Sequence, residues 1–559
     1  MTRARRWIRG TGQGVDTRNT GHRVPGNGAI MTRHLLADHG LGQIPKILTL
    51  LDRNRHSPTY GCFDRNFWHY RTVDFPSGIV QELVLPLALA YSLDIPGSPF
   101  HRRDALREWV EAGILFAARS AHGDASCDDF FPFERAAGAT AFSLLGCMEA
   151  YSLLGLNNET ALGFFDRRAD WLAGHRESGR LTNHQALTAH CLCLAGKLLD
   201  TAKWEGAVER KIARVLSWQN AEGWFQEYEG CDPGYHTLTI SILAGLHALG
   251  GRRDLEDALT RAVRFAAHFV HPDGSFGGEY GSRNTYSFFP HGFELVGRWL
   301  PEALAVTDGF LAGLERGLEP SHSDDHIVGH APQNYLLAWR DFVPDRPPPK
   351  PRPPGRTWFK DAKLLVDRRA DFTLYVALNK GGVFKMFRRD GLVASDTQLS
   401  VKVKNAPGGN AVGHLIDGYD ISVGDDEITV EGRLGWAKTL RMTPARFILL
   451  RLFMLSVGRF CPGLVRRILQ SILITGKRDA PFRFRRTFRW TDGAWTVKDR
   501  LEAESWKDVE EVGIGCDQTS IYVAMSRPFQ SAQLRGWTDL STEVRKLKAG
   551  QALEVVRTF

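Results

Sequence analysis

No Cys-x-x-Cys pair occurs anywhere in this sequence. Its eight cysteines, at positions 62, 127, 147, 191, 193, 231, 461 and 516, stand apart, several of them inside apolar helical patterns. That spacing argues against a zinc site or a disulfide framework and predicts reduced, mostly buried thiols, as in the cytosol. A signal-peptide core is missing too. Residues 1–30, MTRARRWIRGTGQGVDTRNTGHRVPGNGAI, are basic and Gly-rich without a continuous apolar run. The expectation is a disordered basic segment over residues 1–39, with Met31 as an alternative start, on a cytoplasmic protein. The most apolar stretch, RFILLRLFMLSVGRFCPGLVRRILQSILITGKR (Arg446 to Arg478), is too often interrupted by Arg to span a bilayer. A basic amphipathic stretch of this kind either packs over the protein or lies on the inner membrane surface as a peripheral contact.

What is present points to a large soluble protein with an anionic partner. At 559 residues the chain exceeds what one hydrophobic core serves, so two domains are expected. The net charge of +8 suits an acidic polymer or surface but does not choose among polysaccharide, nucleic acid and membrane. The 15 Trp are more telling, since flat apolar faces with a polar edge suit sugar rings as well as protein cores. The expected partner is an acidic polysaccharide, with no nucleic acid.

The chain changes period midway. From about Ser77 to Val343, segments such as QELVLPLALAYSL, AGATAFSLLGCMEAYSLL and LTISILAGLHALGG repeat apolar residues at helical spacing, punctuated by Gly, Asp and Pro. Successive helical hairpins that bury their faces against neighbours build a curved array, so residues 40–343 predict an incomplete (α/α) toroid. A Pro-rich linker follows at 344–355. Beyond it FTLYVALNKGGVFKMFR and FRFRRTFRWTDGAWTVKDRLE alternate with period two around Gly-containing turns, predicting an antiparallel β-sandwich over 356–559 that carries the apolar, basic insertion 446–478. The fold class is α+β, in two domains.

Four stretches of the helical half gather polar and aromatic residues at loops and helix starts. HSPTYGCFDRNFWHYRTVDFPSG holds Tyr60, Asp64, Arg65, Trp68, His69 and Arg71; LTNHQALTAH holds Asn183 and His184. AEGWFQEYEGCDPGYHTLT holds Glu227, Asp232, Tyr235 and His236; GGEYGSRNTYSFFPHGFE holds Glu279, Arg283 and His291. Each local motif also has a bland reading: Asn183 as a helix cap, His236 or His291 as a satisfied core histidine, Trp68-His69 as the seat of a first helix. Together, at the loop end of one helical array, they predict a cleft.

The third stretch resembles heparinase II/III-type polysaccharide lyases, which run Asp-Gly, then Glu, then a Tyr-His pair opening a helix. TNHQ is similar to the Asn-His pair of that family, and PFRFRRTFRWTDGAWTVKDRLE resembles its sandwich strands. Glu222 stands where the family often has Asp, and those lyases are usually exported. The resemblance implies β-elimination on an acidic, uronic-acid polysaccharide without metal or cofactor. Removing the C5 proton puts charge on the substrate carboxylate, which Asn183 and His184 would hold. Tyr235 would move the proton; free Tyr titrates near ~10, so it needs a cation beside it. Arg65, Arg71 and Arg283 would pair with substrate carboxylates, His291 would be a second proton-transfer group, and Tyr60, Trp68, His69, Glu227 and His236 would line the cleft. Two other chemistries fit the same array: a glycoside hydrolase using a pair from Asp64, Glu227, Asp232 and Glu279, or a uronyl C5-epimerase. A non-catalytic carbohydrate-binding protein is the third alternative.

Overall fold

The computed structural model describes residues 27–559 except 178, 228–229, 349–351, 405–408, 438–442, 462, 464, 466–476, 516–525 and 535–536. Residues 1–26 of the expected disordered segment, and part of the 446–478 insertion, therefore lie outside the described residues.

Fourteen helices make up the first half of the described chain. In order they are α1 (Asn27–Gly42), α2 (Ile44–Leu50), α3 (Arg65–Trp68), α4 (Val84–Ser92), α5 (Asp104–Ser120), α6 (Ala137–Leu154) and α7 (Glu159–Gly174). Then follow α8 (Thr182–Leu198), α9 (Glu205–Ser217), α10 (Pro233–Gly250), α11 (Glu256–Ala267), α12 (His291–Gly297), α13 (Glu302–Glu315) and α14 (His330–Arg340). Residues 27–39 correct the expectation of disorder. They belong to α1, which buries Leu36 and Ala37, and Arg33 donates to the Trp339 carbonyl while stacking 4.1 Å from the Trp339 ring.

The even-numbered helices from α4 to α14 pack side by side as an inner ring, α14 returning beside α4. The odd-numbered α5 to α13, with α1 behind α14, form the outer layer of this α/α toroid. The two layers explain two sequence patterns. Inner helices are covered on both sides, so α6 and α10 are apolar around most of their circumference. Outer helices bury one stripe: α11 covers Ala258, Leu259, Ala262, Val263 and Ala266 and turns Arg261 and Arg264 outward.

Thirteen of the fourteen described strands that follow fall in antiparallel ladders of more than two residues. The first sheet contains β1 (Gly355–Phe359), β2 (Leu364–Arg369), β3 (Phe372–Ala377), β4 (Val383–Arg388) and β5 (Gly391–Asp396), in that order. The second contains β6 (Leu399–Val403), β7 (Asn410–Val412), β8 (Asp420–Val423), β9 (Glu427–Ala437), β10 (Asp479–Thr491), β11 (Ala494–Ala503), β12 (Val509–Ile514), β13 (Thr538–Asp539) and β14 (Leu553–Thr558). A helix, α15 (Pro444–Phe453), lies between β9 and β10 in the chain.

The layers run toroid, first sheet, second sheet. Strand β3 shows why: Leu374 and Val376 join the core between the sheets, while Tyr375 and Ala377 join the core of the toroid. Burial on both faces makes β3 continuously apolar, whereas β10 alternates Phe482, Phe484 and Phe488 inward with Arg483, Arg485 and Arg489 outward. The joint between toroid and sheet is polar at its centre. Glu279 meets Lys385 at 3.1 Å and Arg527 at 2.9 Å, all three fully buried, and Lys380 Nζ donates to the carbonyls of Glu279 and Gly281 and to Asn284 Oδ1. This holds the 277–286 loop against the first sheet.

Candidate functional site

The inner helices α6, α8, α10 and α14 all present their N-terminal ends to one mouth of the toroid, where orphan backbone N–H groups need acceptors. At α10 the acceptor is Asp232. Its Oδ1 takes the Tyr235 N–H at 3.0 Å, while its Oδ2 takes the Arg283 N–H at 2.8 Å. One buried carboxylate thus ties the first turn of α10 to the loop that carries Arg283. The consequence is a cation over an aromatic ring: the Arg283 guanidinium lies 4.2 Å from the centre of the Tyr235 ring.

Glu227 closes this group from the α8 side. Asn183 Nδ2 donates to Glu227 Oε2 at 2.8 Å, and Arg283 Nη1 stands 3.5 Å from Glu227 Oε1. Burial pushes the Glu227 carboxyl up to about 7, against the pull of Arg283, His184 and Asn183. The long Arg283 contact explains why burial prevails.

His184, one residue beyond Asn183, is held at Nδ1 by Glu177, 3.0 Å away. Its ring rests on Gly138 of α6: a Cβ there would sit 2.6 Å from His184 Cε1, so only glycine leaves the space. Asn183, His184, Glu227, Tyr235 and Arg283 are therefore brought together. The enclosed part of the cleft beside Tyr235 is small, about 30 Å³, and its wall includes Thr285, Ser287, His322, Asp324 and His330.

Two members of this neighbourhood escaped the sequence reading. His330, at the start of α14, pairs through Nδ1 with Glu82 at 2.7 Å, and its ring stacks 4.2 Å from Phe142. Glu82 is buried at 1% exposure, and burial raises its carboxyl while His330 draws it back. No local motif marks the pair, because its halves come from opposite ends of the toroid's sequence.

The first loop stands at the rim. Arg65 pairs with Asp325 at 2.7 Å, in the segment that also contributes His322 and Asp324 to the cleft wall. Trp68 Nε1 donates to the Leu50 carbonyl, its ring packs on His69, and Arg71 is exposed with a positive φ of 56°.

Three expected site residues lie elsewhere. Tyr60 donates to Glu108 of the outer helix α5, and burial, together with that contact, raises its phenol to about 12. His236 belongs to the core: Nε2 meets the Ala262 carbonyl at 2.9 Å, the Phe225 N–H points to Nδ1, and burial lowers it to about 4. The adjacent Tyr235 faces the cleft because successive helical residues point about 100° apart. His291 opens α12, a short helix set deeper in the ring, and meets Asp341 at 2.9 Å. It lines a separate cavity of about 550 Å³ with His190, Glu149 and leucines of the inner helices.

The carboxylates considered for hydrolysis are mostly engaged in holding structure. Asp64 caps α3 and accepts the Ser77 N–H; Asp232 caps α10; Glu279 is held ionised, down to about 2, by Lys385 and Arg527. Burial raises the carboxyls of both Glu227 and Asp232 near Tyr235, but both Asp232 oxygens accept backbone N–H groups, of Tyr235 and Arg283, whereas Glu227 meets side chains, those of Asn183 and, at 3.5 Å, Arg283.

No protein-family model and no curated protein sequence matches the chain. Among solved structures it is similar to the Streptomyces coelicolor A3 chondroitin AC lyase in complex with chondroitin sulphate. The TM-score is 0.50 at 13% identity, covering 90% of this chain and 69% of that one. A Paenibacillus xanthan lyase gives a TM-score of 0.47 at 10% identity, over 89% of this chain and 47% of that one. The cellobiose 2-epimerase of Bacillus thermoamylovorans gives 0.41 at 10% identity, over 56% and 99%. At these identities the likeness is one of fold.

Proposed function

We propose that this protein is a polysaccharide lyase that cleaves a uronic-acid polymer by β-elimination. The observation that carries the reading is the meeting of Tyr235 with the Arg283 guanidinium, beside a buried Glu227–Asn183 pair. Elimination needs a group that moves the C5 proton, a positive field near it, and donors for the carboxylate on which charge grows. Tyr235 takes the first task and Arg283 the second. The Asn183 amide and the protonated form of Glu227 take the third, a neutral carboxyl sharing its proton with the uronate oxygens. His184, oriented by Glu177, adds a second polar contact to the same carboxylate. The proton then passes to the O4 leaving group, and a C4–C5 double bond remains in the product.

The heparinase II/III likeness of the Tyr-His loop and the chondroitin lyase likeness of the fold support the same reaction class from different directions. Hydrolysis is the weaker reading because Asp64 and Glu279 are engaged elsewhere and Asp232 is committed to the backbone N–H groups of Tyr235 and Arg283, which leaves Glu227 without a second available carboxylate from that set. The test is a panel of uronic-acid polymers read simultaneously for ultraviolet absorbance and for reducing ends. Both signals rising together support elimination. Reducing ends without absorbance would establish hydrolysis instead.

A further inference from the structure

The apolar, basic insertion has no part in the chemistry above, and its described portion is an amphipathic face turned to solvent. Helix α15 and the turn after it expose Phe447, Ile448, Leu449, Leu452, Leu455 and Phe460, at 48% to 79% of their surfaces. Ile448 and Leu452, four residues apart on α15, share one stripe with Phe447 and Leu449 to either side of it, and Leu455 follows in the π-helical turn Met454–Gly458. A soluble domain seldom leaves so large a patch uncovered.

Charge narrows the choice of occupant. Between Gly432 and Arg478 the sequence has ten Lys or Arg and no Asp or Glu. A protein partner would be met by mixed charge at the rim, whereas an anionic lipid surface is matched by charge of one sign around an apolar stripe.

The insertion is also anchored beside the cleft rim. Arg451 pairs with Asp74 and lies 5.6 Å from the Phe75 ring, while Arg459 lies 5.4 Å from the Phe133 ring. These residues belong to the loops that flank Arg65 and His326, and Tyr70 and Phe130 add exposed rings on the same side. Docking α15 on a surface would bring the toroid's mouth close to it.

We propose that α15 and the turn to Phe460 form a docking surface for an anionic lipid bilayer, holding the cleft near polymer at the membrane face. The claim is independent of the reaction catalysed. Flotation of the full-length protein with two vesicle compositions tests it: phosphatidylcholine alone, and phosphatidylcholine with about 30 mol% phosphatidylglycerol. The expected result is flotation with the anionic vesicles only, weakening at least about tenfold as salt is raised. The triple variant Ile448→Ser, Leu449→Ser, Leu452→Ser should stay unbound while keeping its circular dichroism and its activity on soluble polymer. Failure of the wild-type protein to float with anionic vesicles, or equal flotation of the variant, would overturn the proposal. A dimer that the same substitutions dissolve, without lipid binding, would assign the face to a second copy of the chain instead.

Discussion

Replacing Glu227 by Gln probes the electrostatics of the cleft without removing its shape. The amide is isosteric, can still accept from Asn183, and cannot ionise. In the wild-type protein burial moves this carboxyl from 4.5 to about 7. At roughly 1.4 kcal/mol per unit, the ionised form in the folded state costs about 3 kcal/mol relative to the unfolded chain. The folded state therefore binds the proton more tightly. Its stabilising contribution is complete below about pH 4.5 and is lost as pH rises through about 7. The variant lacks this term, so its stability relative to wild type should improve by about 1–3 kcal/mol between about pH 5 and pH 9. Urea midpoints followed by tryptophan fluorescence, at matched ionic strength, measure that difference. The same group should shape activity: wild-type kcat/KM should fall on the alkaline side of about 7, and Glu227→Gln should remove that limb at a lower plateau. Parallel stability profiles for the two proteins would refute the burial argument.

Three further substitutions follow from the geometry. Gly138→Ala places a Cβ 2.6 Å from His184 Cε1 and forces the imidazole off Glu177, so turnover should drop about 10- to 100-fold, with about 1–3 kcal/mol lost in thermal unfolding. His291→Ala acts in the other cavity, where it strips Asp341 of one partner. It should cost about 1–3 kcal/mol of stability while leaving turnover within about twofold, which steady-state kinetics would show. Glu279→Ala strands Lys385 and Arg527 in the joint between toroid and sheet, and should destabilise the protein by about 3–5 kcal/mol in denaturant titration.

The helices and their two-layer arrangement were readable because burial on one stripe or all round leaves a periodic trace, as in α11 and α6. The first sheet was less so. Its strands are apolar on both faces, so β3 offers no alternation to mark which side meets the toroid. Within the cleft, Asn183 and Tyr235 stood out because each sits in the first turn of a helix in a polar stretch, and Glu227 because it lies in the aromatic loop leading into α10. Depth was invisible: His291 and His330 both open inner helices, yet α12 begins lower in the ring, so His330 reaches the cleft wall and His291 does not. The Glu82–His330 pair left no local signal at all, since it exists only after α14 has returned to α4.

Tyr235→Phe is the measurement that bears most directly on the account. It removes one hydroxyl and keeps the ring on which Arg283 stacks, so folding should be little changed. Once a polymer substrate is found, formation of the unsaturated product should fall by a factor on the order of 10² to 10⁴ in kcat, with KM little altered. A Tyr235→Phe protein that releases unsaturated product at the wild-type rate would contradict the assignment of proton transfer to this side chain.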